Sequence, residues 1–170
     1  MWGAFSPNTS TQVVCGLRCA KRVPVIARNT LKADRIETRR KLDGLKPLSH
    51  WVKLTQAAFN GFIRARDAGK PCISCGRHHV GSWDAGHYLT TGARPELRFD
   101  EDNVHRQCVP CNQHLHGNHV LYRIGLIARR GLAVVERLEG PHAPKKYTVD
   151  ELAEIRKDCR AKERQLKAAA

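Results

Sequence analysis

Two Cys-x-x-Cys pairs, Cys72 with Cys75 and Cys108 with Cys111, carry the plainest chemical signal in this 170-residue chain. Each pair makes a knuckle, and four thiolates satisfy a tetrahedral Zn²⁺ at about 2.3 Å per bond without any redox chemistry. A closed four-thiolate site leaves no position for water or substrate, so the ion is expected to fold the protein and not to catalyse. Residues 76–107 separate the pairs, a longer interval than the roughly 15–20 residues of an ordinary zinc ribbon. Something is inserted between the knuckles.

The insert carries Trp83-Asp84-Ala85-Gly86-His87-Tyr88 and then Asn103-Val104-His105, and the second knuckle runs directly into Asn112. Seven of the nine histidines lie between His78 and His119. Phosphodiester hydrolysis needs an oxygen nucleophile, neutralised charge on phosphorus and a stabilised leaving oxygen. A neutral histidine such as His87 can deprotonate water near pH 7, and a hard cation, Mg²⁺ or Mn²⁺, on the oxygens of Asp84 and Asn112 can supply the rest. Plainer roles compete: His87 as a hydrogen-bonded core histidine, Asp84 as a turn acid, Asn112 as the N-cap of a helix after the knuckle. His105, His114, His116 and His119 outnumber the needs of one small site, and most are expected on the surface or against phosphates. His114 and Asn118 are the reserve metal ligands.

Thirty Lys and Arg against 16 Asp and Glu give a net charge of +14, which calls for a polyanionic partner, nucleic acid first. Arg94, Arg98 and Arg106 flank the insert and are candidate phosphate contacts, which position a nuclease without reading sequence. No apolar run approaches the roughly 20 residues of a membrane span, and residues 1–10 have no secretory pattern. A reducing cytoplasm is expected, where paired cysteines bind metal instead of forming disulfides. Cys15 and Cys19 form a looser pair; Cys159 stands in a helical pattern as a small buried hydrophobe.

Elements must hold these groups together. Residues 1–46 read as a basic arm, helical from Lys21 to Lys46 or partly disordered, with few acids among many bases. Residues 47–140 hold the core: a helix opened by Pro47 and Ser49, with Trp51, Leu54, Ala58, Phe59, Phe62 and Ile63 on one face, ending near Gly69. Strand-like runs follow at Gly81–Leu89 and Leu97–Cys108, then a helix over His119–Arg130 capped by Asn118 and a shorter one over Leu132–Leu138. Gly140-Pro141 breaks the pattern, and in residues 141–170 the capping box of Thr148 and Glu151 opens a charged helix toward Lys167. The fold class is α+β.

Asp84-x-x-His87, Asn103-Val104 and Cys108-x-x-Cys111-Asn112 resemble the successive elements of an HNH, or ββα-metal, nuclease. More closely, Leu45 to about Leu166 is similar to the NinG (Rap) recombination endonucleases of lambda-like phages. Pro71-Cys72-Ile73-Ser74-Cys75-Gly76 and Gln107-Cys108-Val109-Pro110-Cys111-Asn112-Gln113-His114, followed by Gly117-Asn118, carry that similarity with the Trp83–Tyr88 segment. The resemblance implies a zinc-stapled ββα core flanked by basic helices, cutting Holliday junctions and other branched DNA as a phage protein in a bacterial host, as a homodimer in geometry. It gives His87 the role of general base, Asp84 and Asn112 those of cation ligands, and Asn103 that of the residue bracing the hairpin. Two departures stand out. The commonest HNH form has its acid immediately before the histidine, where this chain has Gly86; and of an N-terminal four-cysteine finger only Cys15 and Cys19 are present. Two rival functions fit the charge and the cysteines: a non-catalytic zinc DNA-binding protein, and a duplex-specific HNH endonuclease.

Overall fold

Helix formers between closely spaced charges build α1, Leu17–Gly44, in which no residue is buried. The computed structural model describes residues 16–169, so Cys15 lies outside the described residues, while Cys19 falls in the first turn of α1. The helix thus begins four residues before the basic segment that predicts it. Ion pairs one turn apart line it: Lys41 with Glu37 at 2.9 Å, Arg39 with Asp43 at 3.7 Å and Lys46 with Asp43 at 2.6 Å. The chain divides between Lys46 and Pro47 into two units, of which α1 makes the first.

In the second unit, α2 (Leu48–Arg66) follows Pro47 directly, with no side-chain cap, and buries Ala58, Phe59, Phe62 and Ile63. Those side chains meet Ala85, Val104 and Cys159, with Phe99 and Ile155 at the edge. Cys159 is a core hydrophobe there. It comes from α5 (Val149–Ala168), whose capping box closes as the sequence predicts: Glu151 N donates to Thr148 Oγ1 at 3.2 Å and Thr148 N to Glu151 Oε2 at 2.8 Å. Buried Thr55 donates to Leu152 O at 2.9 Å, fixing the first turn of α5 on α2.

The described residues are mostly helical, with one two-stranded antiparallel sheet among them, of β1 (Trp83–His87) and β2 (Val104–Cys108), in which Asp84 faces Gln107 and His87 faces Val104. Both strands are shorter than the strand-like runs Gly81–Leu89 and Leu97–Cys108. The segment before β2 is no strand: Pro95–Leu97 forms a 3-10 turn, and Asp100 Oδ1 accepts from Asp102 N at 2.8 Å and from Asn103 N at 3.3 Å. Leu97 and Phe99 are apolar because they anchor this loop, Leu97 in the second core cluster and Phe99 edge-on against Phe59 and Tyr147.

That second cluster joins Ile73 of the first knuckle to Tyr122 and Leu126 of α3 (His119–Arg130) and Val135 and Leu138 of α4 (Leu132–Glu139). Gly131, at φ +88°, separates the two helices. Two expectations fail between the knuckle and α3. Asn112 does not cap an α-helix, because Pro110–His114 is a wide π turn that contains it. Asn118 does not cap α3 with its side chain, because at φ +46° its amide turns away to the knuckle, donating to Cys111 Sγ at 3.5 Å.

Candidate metal centre and adjoining cleft

The first knuckle is a tight turn in which Gly76 N donates to Cys72 O at 3.0 Å, with Gly76 at φ +67°. The second starts on the last residue of β2 and continues through the π turn. Together they bring the four sulfurs within 4.8 Å of one another. A tetrahedral ion about 2.3 Å from each sulfur sets sulfur separations of about 3.8 Å, and Cys75 Sγ lies 3.9 Å from Cys108 Sγ. The cluster can hold a metal ion such as zinc, and among the described residues no other group of three His, Cys, Asp or Glu is close enough to do so. Cys108 N donates to Cys72 Sγ at 3.4 Å, and the His79 ring nitrogen Nε2 lies 3.3 Å from Cys75 Sγ. With the Asn118 amide these are contacts of the kind that orient thiolates around a bound metal.

β1 leaves the knuckles and ends on His87, whose Nε2 is 3.1 Å from Arg98 O. A carbonyl only accepts, so Nε2 carries the hydrogen and Nδ1 keeps its lone pair. Burial pulls the His87 pKa below the ordinary 6.5, and the Arg98 charge adds to it against the opposing pull of the carbonyl. The ring is therefore neutral at pH 7. His87 and Asn112 line one cleft of about 270 Å³ with Thr90, Thr91, His116 and His119.

Asp84 does not line that cleft. Three positions before His87 on a strand, it stands on the opposite face, and its Oδ2 accepts from Asn112 Nδ2 at 2.8 Å and Gln113 Nε2 at 2.9 Å. Asn103 is fully buried: its Nδ2 donates to Leu89 O at 3.0 Å and Leu97 O at 3.1 Å, and its Oδ1 accepts from Leu89 N at 2.8 Å. It closes the loop that carries Thr90, Thr91 and Arg98, and so acts on the cleft through the backbone.

The three flanking arginines are engaged within the fold. Arg94 donates to the carbonyls of Leu138 and Gly140 at the end of α4 and pairs with Glu96 at 3.5 Å. Arg98 reaches Gln56 Oε1 at 3.4 Å. Arg106 lies 3.8 Å over the Trp83 ring, with a bond to Asp67 O at 3.4 Å. Of the reserve ligands, His114 is exposed at the end of the π turn and Asn118 faces Cys111, so neither lines the cleft. His105 is a core residue, not a surface one: its Nδ1 lies 2.9 Å from Arg66 Nη2 and 3.4 Å from Asp67 Oδ2.

His116 and His119 take their place in the cleft, and spacing alone could not select them from four candidates. What puts them there is the turn between, in which His116, Gly117 and Asn118 all have positive φ. The Gly-Asn pair is the only trace of it in the sequence. Gln107 also escapes a reading by residue type: fully buried, its Nε2 donates to Ser74 Oγ and Gly117 O, both at 2.7 Å, tying β2 to the first knuckle and to that turn.

A family model described as the bacteriophage lambda NinG protein matches residues 3–169. The chain belongs to the NinG family. It is 50% identical over 123 residues to the NinG protein of Salmonella phage P22, covering 72% of this chain and 61% of that one. Over the same length it is 49% identical to NinG of Escherichia phage lambda, covering 72% and 60%, and it is 54% identical over 112 residues to NinG of Escherichia phage 933W, covering 66% and 56%. The matched part therefore spans about three fifths of the length of these NinG proteins. No solved structure matches the chain. Among the described residues of this NinG-family chain, no helix is long and apolar enough to cross a membrane.

Proposed function

We propose that this NinG-family chain carries the cleavage site of an HNH-type endonuclease that hydrolyses branched DNA, Holliday junctions and D-loops, in phage recombination. One observation carries the reading: a neutral His87 is held through Nε2 by Arg98 O, with its Nδ1 lone pair available, in a polar cleft it shares with Asn112. A histidine in that tautomer and protonation state is a general base. In the reaction, His87 Nδ1 takes a proton from water as the water oxygen bonds to phosphorus and the bond to the 3′ oxygen breaks. Asn112, backed by Asp84, would hold a hard divalent cation, Mg²⁺ or Mn²⁺. When bound, that cation supplies positive charge to the phosphoryl and departing oxygens. Asn103 and Arg98 keep the imidazole oriented, and the four-cysteine cluster acts as scaffold.

The partner follows from charge: a protein with a net charge of +14 and a 28-residue helix with no buried residue, rich in Lys and Arg, suits a phosphate backbone. Preference for branched over linear DNA rests on kinship with the NinG family. Incubating the zinc-loaded protein with a labelled four-way junction or a linear duplex of the same sequence tests both. Cutting of the junction that requires Mg²⁺ or Mn²⁺ and stops with chelator is expected. Binding without cutting in either metal would make it a non-catalytic zinc DNA-binding protein, and equal cutting of the duplex would make it a duplex endonuclease.

A further inference from the structure

The outer face of α2 meets the cleft at Arg98. The Arg98 carbonyl oxygen accepts from His87 Nε2 at 3.1 Å, and the Arg98 side chain lines a groove of about 670 Å³ that runs along α2. Polar side chains in that groove are chained so that their oxygens are used up within the fold. Arg98 Nη1 donates to Gln56 Oε1 at 3.4 Å, and Gln56 Nε2 donates to Asn60 Oδ1 at 2.8 Å. An asparagine whose oxygen is engaged has its NH₂ left over, and a guanidinium has N–H groups beyond the one spent on Gln56. Lys53, exposed three residues before Gln56, pairs with no carboxylate among the described residues. No acid lines the groove, and Val52 and Ala57 give it an apolar floor. The pocket where α2 meets α5 is different: it contains Glu163, paired with Lys167 at 2.6 Å.

Phosphate oxygens are negative and only accept hydrogen bonds, so a surface of donors and cations without an acid is complementary to a sugar–phosphate backbone. From Lys53 to Asn60 is about 10 Å along the helix, the length of about three phosphates of one strand at about 3.4 Å of axis each. We propose that the outer groove of α2 is a DNA track. Lys53, Asn60 and Arg98 hold phosphates of the strand that passes into the cleft, and the apolar floor takes its deoxyribose faces. Arg98 joins the two places, with its side chain on the track and its carbonyl on the His87 ring. Contacts of this kind position a strand without reading its sequence. Where the track falls on the substrate, beside the scissile phosphate, rests on the proposed cleavage by His87; that it binds DNA does not.

The test uses the full-length, zinc-loaded chain and a labelled four-way junction, with binding measured before any Mg²⁺ or Mn²⁺ is added. K53A should reduce the salt slope of binding by about 0.9, the share of one phosphate, and K53A/R98A by about 1.8. N60D keeps an oxygen for Gln56 Nε2 but replaces the outward donor with a negative charge, so it should bind the junction more weakly. K157A removes an exposed lysine of α5 and should keep the wild-type slope. Ala57→p-benzoylphenylalanine, on the exposed floor of the groove, should crosslink to the junction on irradiation, at nucleotides within about five of the cut made once Mg²⁺ is supplied. A wild-type slope in K53A/R98A, an equal loss in K157A, or wild-type binding by N60D would overturn the proposal. So would crosslinking to a second protein chain in place of DNA, which would make the groove a contact between copies. Crosslinks to DNA and lowered slopes without cleavage in Mg²⁺ or Mn²⁺ would remove the nuclease reading and leave the track standing.

Discussion

Asp67 is completely buried with a negative charge, and the groups around it explain how. Burial pushes its carboxyl pKa up, but His105 and the Arg66 guanidinium, with the Arg106 backbone N–H, outweigh that and hold it far below the usual carboxylate range. Lys70 adds an ion pair at 3.0 Å, and Arg129 stands 4.0 Å away. His105 in turn is kept neutral, its pKa lowered by burial first and by the Arg66 charge, against the pull of Asp67. Both folded pKa values lie below those of the unfolded chain, so both groups stabilise the fold above the unfolded values and lose that contribution as pH falls. Thermal melting followed by circular dichroism should be level above pH 7, decline below about 6.5 as the unfolded chain gains a proton at His105 that the folded site resists, and decline again below about 4 as it gains one at Asp67. D67N should make the lower decline shallower, the remainder coming from Asp100, Glu139 and Glu151, whose pKa values are also lowered; an unchanged acid limb in that variant would refute the assignment. Asn103 offers a second test at this scale. N103A removes three hydrogen bonds of a fully buried side chain and should cost about 2–4 kcal/mol of stability, read as a lowered urea midpoint.

Among the elements, α3 meets the first knuckle with its backbone. A Cβ on Gly125 would stand 1.9 Å from Ile73 O, a backbone atom. Helix propensity alone would reward G125A by about 1 kcal/mol, but that overlap forces α3 off the knuckle, and overpacking costs about 1–3 kcal/mol. The clash should win, so G125A should melt lower than wild type; a higher melting temperature would mean α3 does not approach so closely. The helices were legible because their signals are local: the apolar stripe of α2, the Thr148 and Glu151 capping box of α5, the Gly140-Pro141 stop after α4. The two Cys-x-x-Cys pairs were legible for the same reason. Strand lengths were not, because Leu97 and Phe99 are apolar for the sake of loop anchoring, which alternation cannot tell from a strand. Nor could spacing foresee that a π turn would carry Asn112 to Asp84, or that a run of positive φ would bring His116 and His119 into the cleft.

At the scale of the whole molecule, a four-cysteine cluster that can hold a metal ion and a net charge of +14 are the features to test. A strong chelator that strips the four-cysteine cluster should lower the melting temperature and unfold the second unit's knuckles, since binding energy at such a site is folding energy; melting indifferent to chelation would remove the scaffold role. DNA affinity should fall steeply with salt, because each neutralised phosphate contributes a slope of about −0.9. Replacing Lys32, Arg35 and Arg40 of α1 with alanine should reduce that slope by about 2–3, whereas an unchanged slope would exclude α1 from the contact. The most direct measurement is single-turnover cleavage of a labelled four-way junction in Mg²⁺ by wild type and by H87A. Loss of a general base should slow the variant by about 10²- to 10⁴-fold while junction binding and zinc content stay as in wild type. Cleavage by H87A at the wild-type rate would contradict the central claim that His87 activates the attacking water.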